Sequence, residues 1–542
     1  HALPQLSSPL GPVVNLGYAA FVGNSTSPIG QTNGPVTFFG GIPYAQPPLG
    51  DLRFRAPASL DERVVNGGHV SITDARNWGS PCMQQPGQVG IGQEDCLLLN
   101  IWKPTDTKEG DKLPVIVYIH TPQGFPLYDW VNQSNPKIVG VSIAYRLNLL
   151  GFLAGSSVRA DGDENVGLLD QRAALEWIQR HIASFGGDPD EVTIDGQSAG
   201  AASVVMQTVA YGGSKPIPFK RAIAQSVGYG PLLTADEAEA AFKVVTEVVE
   251  CPDSGPHAMS CLRNASIGAI VAAINAAPGR GILPAVGGPG SILPDLPSAL
   301  IRSGNFNTVD FIGGHATNDG RWFLSGTPQD YNTDADVIQF VFSRWGTHMY
   351  NNRNCSKTNE TIRESLALYP APGTPGSPYD TQYDRAATIF QEIVYTCMDW
   401  LLADRLQQNG ANNVFAYRFN SPNPVLLAAS PWEGVMHTSD LFYLFSANAG
   451  FTFTPFNSTE ATLSRESTAF WTSFVSSGNP STSREDVSPE WMPFSTGKRM
   501  VLNQQINSSS ITSASMMEVT PPDEIDRCGF WMSKNVSDQT RV

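Results

Sequence analysis

The 542 residues are 41% hydrophobic and only 15% charged, and 50 acidic against 34 basic side chains leave a formal net charge of −16. That balance disfavours nucleic acid or an anionic membrane surface as partner, and no apolar run of about 18 residues predicts a membrane span. No repeat, low-complexity tract or linker divides the chain, so residues 1–542 read as one large domain.

The sequence begins at His1 rather than Met, which predicts a mature, secreted, extracellular form whose leader has been removed. N-x-S/T sequons at Asn24, Asn132, Asn264, Asn354, Asn359, Asn457, Asn507 and Asn535 agree with that and predict N-linked glycans. Seven cysteines include two closely spaced pairs, Cys82/Cys96 and Cys251/Cys261, which would close short loops. None forms a CxxC motif or mixes with His at zinc-ligand spacing, so disulfides are expected and no metal or cofactor. The odd count leaves one thiol free or externally paired.

Along the chain, the first 60 residues hold short β-like runs broken by Gly and Pro. "PVIVYIH" (114–120) and "PKIVGVSIAY" (136–145) are continuous apolar runs, the pattern of strands buried on both faces. Leu168, Leu169, Ala173, Ala174, Leu175, Ile178 and Ile182 fit an amphipathic helix that Gly186-Gly187 would end. A strand at 191–196 and a helix from Ser198 follow, with later strands at 309–316 and 413–420. This alternation predicts an α/β fold with a mostly parallel sheet. Segments 234–300 and 360–410 read as peripheral helices, and the last forty residues carry no assignable pattern.

Gly196-Gln197-Ser198-Ala199-Gly200 is a G-x-S-x-G motif between a strand-like and a helix-like run. That context is the one in which the serine is forced onto a sharp turn with its Oγ exposed. Such a nucleophile needs an acid and then a base further along the chain. Asp319 follows a predicted strand beside a glycine, and His437 sits in a loop ahead of an apolar run. Alone, an Asp-Gly pair marks a turn and a lone His marks a surface or core position. His315 and His120 are rival bases by composition.

The stretches "GIPYAQPPLGDLRFRAP" (41–57), "EDCLLLNIW" (94–102), "AYRLNLLGFL" (144–153), "NVGLLDQRAALEWI" (165–178) and "FGGDPDEVTIDGQSAGA" (185–201) occur in the order seen in type-B carboxylesterases. The chain resembles that family, which includes cholinesterases and large fungal lipases, across roughly residues 14 to 500. The resemblance implies an α/β-hydrolase fold with helices on both faces of the sheet. It implies Ser198 as nucleophile, His437 as base and Asp319 as acid, where most of the family has Glu. A second departure is Gln197 in place of the family's Glu before the serine. It removes a negative charge and disfavours choline esters. Arg53 with Glu94, and Arg146 with Asp170, look like the family's buried ion pairs. Cys82–Cys96, Cys251–Cys261 and Cys397–Cys528 look like its disulfides, with Cys355 competing for either partner of the third.

The family's H-G-G-G-F is replaced by His120-Thr121-Pro122-Gln123-Gly124-Phe125. Aligned from His120, two oxyanion donors would be Pro122 and Gln123, and proline has no N–H. Aligned back from Phe125, the donors become Gln123 and Gly124, with Ala199 as the third under either reading. The loop between Cys82 and Cys96 is thirteen residues long, short for a lid that opens at an oil–water interface. The expected function is a secreted serine carboxylesterase acting on a small-molecule ester, as monomer or homodimer. The alternatives are a non-hydrolytic binding protein, or an acyl transferase or cyclase that uses the same triad.

Overall fold

The computed structural model describes residues 3–26, 35–65, 70–119, 125–228, 230–276, 283–343, 355–446, 454–506 and 512–542. Ten strands form its main sheet: β1 (Val36–Pro43), β2 (Leu98–Pro104), β3 (Leu113–Ile119), β4 (Val139–Ile143), β5 (Gly187–Gln197), β6 (Arg221–Gln225), β7 (Asp310–Ala316), β8 (Val414–Phe419), β9 (Lys498–Leu502) and β10 (Met516–Val519). Their spatial order is β10-β9-β8-β7-β6-β5-β3-β4-β2-β1. Seven consecutive strands, β9 to β4 in that order, run parallel, and antiparallel strands complete both edges. A separate three-stranded sheet gathers Val13–Asn15, Ala20–Val22 and Ile72–Asp74.

The parallel centre follows from the apolar runs. Val115, Ile116, Val117, Tyr118 and Ile119 are each no more than 1% exposed, so β3 is covered on both faces. Helix α1 (Val166–His181) covers one part of the sheet, and Gly186 ends the following turn in a left-handed conformation, as the glycine pair predicts. Helix α2 (Ala199–Thr208) starts directly from β5. Helices α3 (Gln382–Gln391), α4 (Cys397–Gln408), α5 (Ser439–Leu444) and α6 (Ser458–Ser477) complete the set needed below. The expected α/β architecture is the observed one.

The supports expected from the resemblance are also present. Disulfides join Cys82 to Cys96, Cys251 to Cys261 and Cys397 to Cys528, so Cys355 pairs with neither partner of the third. Arg53 meets Glu94 through two hydrogen bonds, of 2.6 and 2.7 Å, and spends its remaining nitrogen on the carbonyls of Leu262, Arg263 and Ala265. Arg146 holds the fully buried Asp170 the same way, at 2.7 and 2.8 Å. Each charge is paired and hydrogen-bonded, which its burial requires.

Two expectations needed revision. Residues 283–296 lack helix, although the 234–300 segment reads as helical. The last forty residues, without pattern in sequence, contain β10 and helices at Pro522–Trp531 and Lys534–Thr540. β10 is only four residues long and lies at a sheet edge, too short for alternation to register. Among the described residues, no helix is long and apolar enough to cross a membrane.

Candidate active site

Parallel strands that share a direction deliver their carboxyl ends to one edge of the sheet, and the candidate residues collect there. Ser198 follows β5, Asp319 lies three residues beyond β7, and His437 lies on the long connection after β8. Ser198 has φ 57° and ψ −119°, a left-handed backbone that side chains rarely adopt. Flanking glycines make the turn feasible: a Cβ on Gly196 would lie 2.5 Å from the Gly200 carbonyl carbon. The turn is fastened by Ser198 N–H donating to the Gln225 carbonyl at 2.9 Å and Gly228 N–H donating to the Ser198 carbonyl at 3.1 Å. A Cβ on Gly228 would approach Ser198 Oγ to 2.9 Å, so that glycine keeps the hydroxyl clear.

Asp319 is fully buried, and three donors converge on its carboxylate. His437 Nδ1–H reaches Oδ1 at 2.7 Å, while Ser226 Oγ at 2.9 Å and the Ala316 N–H at 2.8 Å reach Oδ2. The aspartate therefore does span to the imidazole. It does so because its loop is pressed inward, where a Cβ on Gly320 would lie 2.0 Å from the Ala387 carbonyl oxygen of α3. The acid and base loops are also joined to each other. Asn318 N–H donates to the Val435 carbonyl at 2.9 Å, and Val435 N–H donates to Asn318 Oδ1 at 3.1 Å.

The imidazole of His437 forms a cluster with two aromatic rings, Phe323 with centroids 5.3 Å away and Tyr395 at 4.8 Å, and these rings lie 5.7 Å from each other. Tyr395 belongs to a π-helical turn, Glu392–Thr396, inserted between α3 and α4, a distortion that recurs at functional sites. No hydrogen bond joins Ser198 Oγ to His437. The imidazole Nε2 faces the Gln197 side-chain nitrogen at 3.2 Å instead. Contacts between nucleophile and base are often open without substrate and close in the complex.

Acids surround this group. Burial pushes the Asp195 carboxyl on β5 well above the usual range, and burial together with the Asp319 charge does the same to Asp399 on α4. Asp440, on α5, is pushed up to about 6 by burial and then by Asp319, against the bond donated by Gln225 Nε2 at 2.8 Å. These three carboxyls hold their protons more tightly than Asp ordinarily does. Three donors meet the Asp319 carboxyl group itself.

The rival base His315 lies inside β7, away from the serine, and burial with the nearby Arg499 and Arg418 charges lowers its proton affinity sharply. His120, Pro122, Gln123 and Gly124 lie outside the described residues. Ala199 is the first residue of α2, so its N–H has no acceptor within the helix. Sequence reasoning missed Ser226, Gln225, Asp440, Phe323 and Tyr395. Ser226, the residue immediately after β6, carried the one usable signal, a polar side chain at a strand's carboxyl end.

Comparison with known proteins followed the same lines. A family model described as the Carboxylesterase family matches residues 11–520. Lipase 1 of Geotrichum candidum is 31% identical over 486 residues, spanning 78% of this chain and 82% of the relative. Secreted triacylglycerol lipase LIP1 of Gibberella zeae is 31% identical over 474 residues, spanning 77% and 76%. The crystal structure of Aspergillus niger EstA superposes with a TM-score of 0.83 at 29% identity, covering 98% of this chain and 99% of that one.

Proposed function

Because the chain belongs to the carboxylesterase family, we propose that it is a secreted serine carboxylesterase working through Ser198, His437 and Asp319. Ser198 Oγ attacks the ester carbonyl as His437 Nε2 takes its proton, and the imidazolium returns that proton to the leaving alcohol. Water then adds to the acyl enzyme by the same route and releases the acid. Asp319 fixes the tautomer in which Nδ1 carries the proton and Nε2 carries the lone pair that acts as base. The observation that carries this reading is the 2.7 Å contact between His437 Nδ1 and an Asp319 that is buried and fully coordinated. The strained backbone at Ser198 supports the nucleophile role, since strain of this kind is held at functional sites.

Ala199 N–H supplies one oxyanion donor in this proposal, and Gln123 and Gly124 N–H supply the others. Loss of one such donor lowers turnover by roughly 10²–10³. Three disulfides and relatives named as secreted support an extracellular location. N-linked glycans are proposed on the exposed Asn264, Asn457 and Asn535, while Asn24 and Asn132 are half-buried. Asn354, Asn507 and the side chain of Asn359 lie outside the described residues.

Incubation with an organophosphate, then peptide mass mapping, tests the mechanism. A single adduct on Ser198 is expected, absent in Ser198→Ala. Labelling elsewhere, or undiminished ester turnover by Ser198→Ala, would overturn it. The same map reads hexose-bearing peptides, expected at Asn264, Asn457 and Asn535.

A further inference from the structure

The nitrogen of His437 that must serve as base is already engaged. Nδ1 is committed to Asp319 at 2.7 Å. With an anionic partner there, Nδ1 holds the proton and Nε2 offers a lone pair. The group facing that lone pair is the carboxamide of Gln197, Nε2 to Nε2 at 3.2 Å. Gln197 is the last residue of β5, its side chain 1% exposed, and its backbone is held by the register with Gln225 on β6. Solvent therefore does not compete for the amide, and the strand fixes where it points.

We propose that Gln197 is a positioning residue for both protonation states of His437. In the resting enzyme its NH2 donates to the Nε2 lone pair and holds the ring in register. When His437 has taken the serine proton, the amide turns about its last side-chain bond, and Oε1 accepts the new Nε2–H until the leaving alcohol claims it. No bond to carbon changes in this step; one N–H···N contact is exchanged for one N–H···O contact. An amide carries both a donor and an acceptor and so fits either state. A carboxylate at this position would accept only, and so would fit the imidazolium alone.

The consequence concerns acidity. His437 faces Asp319 from the loop after β7 and Asp440 from α5, with Asp399 of α4 behind Asp319 and Asp195 of β5 near Asp440. Phe323 and Tyr395 pack against its ring, with centroids 5.3 and 4.8 Å away. Since Asp195, Asp399 and Asp440 hold their protons tightly, an anion at position 197 would place a new charge 3.2 Å from Nε2 and hold the proton on the base. A neutral amide leaves the base available at lower pH. The inference assigns this chain an esterase whose activity extends further into acid than that of its own Gln197→Glu variant.

This rests on the serine-esterase reading, and the experiment separates the two. The pH profile of kcat/KM on a soluble p-nitrophenyl ester is measured for the wild type, Gln197→Glu, Gln197→Met and Ser198→Ala. The acid limb should move up by about 1 pH unit or more in Gln197→Glu, the scale of one nearby opposite charge. In Gln197→Met, which keeps the volume, the limb should stay while kcat falls about 10-fold with KM unchanged, the loss of one hydrogen bond to a charged group. Any carboxylate this close would move the limb, so the readout that a merely structural role would not give is the fall of kcat at unchanged KM in Gln197→Met. In parallel, NMR of 13C-histidine protein, assigned with His437→Gln, follows the ring titration without any turnover. Its midpoint should rise in Gln197→Glu. Superposed titrations in folded wild type and Gln197→Glu would overturn the inference whether or not the protein hydrolyses esters. Unchanged turnover in Ser198→Ala would overturn the serine reading instead. If Gln197→Glu does not fold, unchanged kcat in Gln197→Met is the overturning result.

Discussion

Asp319 is one methylene shorter than the glutamate that the family resemblance implies at this position, and the fold supplies the missing reach from the neighbouring residue. Gly320 lets the loop settle where any Cβ would collide with the Ala387 carbonyl, at 2.0 Å. Gly320→Ala must therefore push the acid away from the imidazole. A misplacement of about 1 Å far from the bond being broken can cost on the order of 10²-fold in rate. Gly320→Ala is expected to lose about that in kcat, with a lowered melting temperature and little change in KM. A steady-state assay with thermal unfolding checks both, and unchanged kcat would show that the loop has slack. At this scale the sequence marked Ser198, because G-x-S-x-G between a strand and a helix is a local signal, while Asp319 and His437 came only from the family resemblance, with His315 and His120 open as rival bases by composition. It did not disclose Ser226, Asp440 or Tyr395. Ser226 and Asp319 are 93 positions apart and meet only through the pairing of β6 with β7. Tyr395 reaches His437 only because a π-helical turn rotates it there, and no periodicity announces a π turn.

Among the elements, the short loop between Cys82 and Cys96 bears most directly on substrate choice. Gly87 N–H donates to Asn275 Oδ1 at 2.8 Å and Asn275 Nδ2 donates back to the Gly87 carbonyl at 2.9 Å, tying the loop to the helix Ile267–Ala276. A segment closed by a disulfide and pinned at its middle is poorly suited to swing open at a lipid surface. Hydrolysis of a short soluble ester is therefore expected to rise smoothly with concentration, with no jump where the substrate begins to form droplets. A sharp rise at that point would count against the rigid loop. The strands at the sheet centre were legible because burial on both faces demands continuous apolar runs. The carboxyl-terminal elements were not. The helix Pro522–Trp531 is held by the Cys397–Cys528 disulfide and by Arg527 against Glu392, partners more than 130 positions away.

For the whole molecule, the acids in its interior set how stability follows pH. Asp440 binds its proton more tightly folded than unfolded, from the ordinary 3.8 up to about 6. The folded state thus holds more protons between those values, and stability falls as pH rises through that window. The loss is fully developed above pH 6 and amounts to roughly 3 kcal/mol at most. Exposed acids such as Asp61 and Asp74, lowered to about 2 by Arg63 and Arg76, act in the opposite sense only at lower pH. Asp440→Asn keeps the shape and removes the titration. Its melting temperature is expected to fall less than that of the wild type between weakly acidic and neutral pH. Parallel melting curves across that interval would locate the dependence elsewhere.

The reciprocal bonds between Asn318 and Val435 bear on how such a site is rebuilt. Acid and base arrive on different strands, yet their loops are stitched into one piece, and the serine elbow is tied to that piece through Gln225 and Ser226 at the end of β6. The proposed triad therefore rests on loops joined to one another at residues 225–226, 318 and 435. Anyone grafting or recombining these loops would have to move residues 318–320 and 434–437 together as a cassette. The elbow would have to travel with residues 225–226, which reach Asp440 and Asp319.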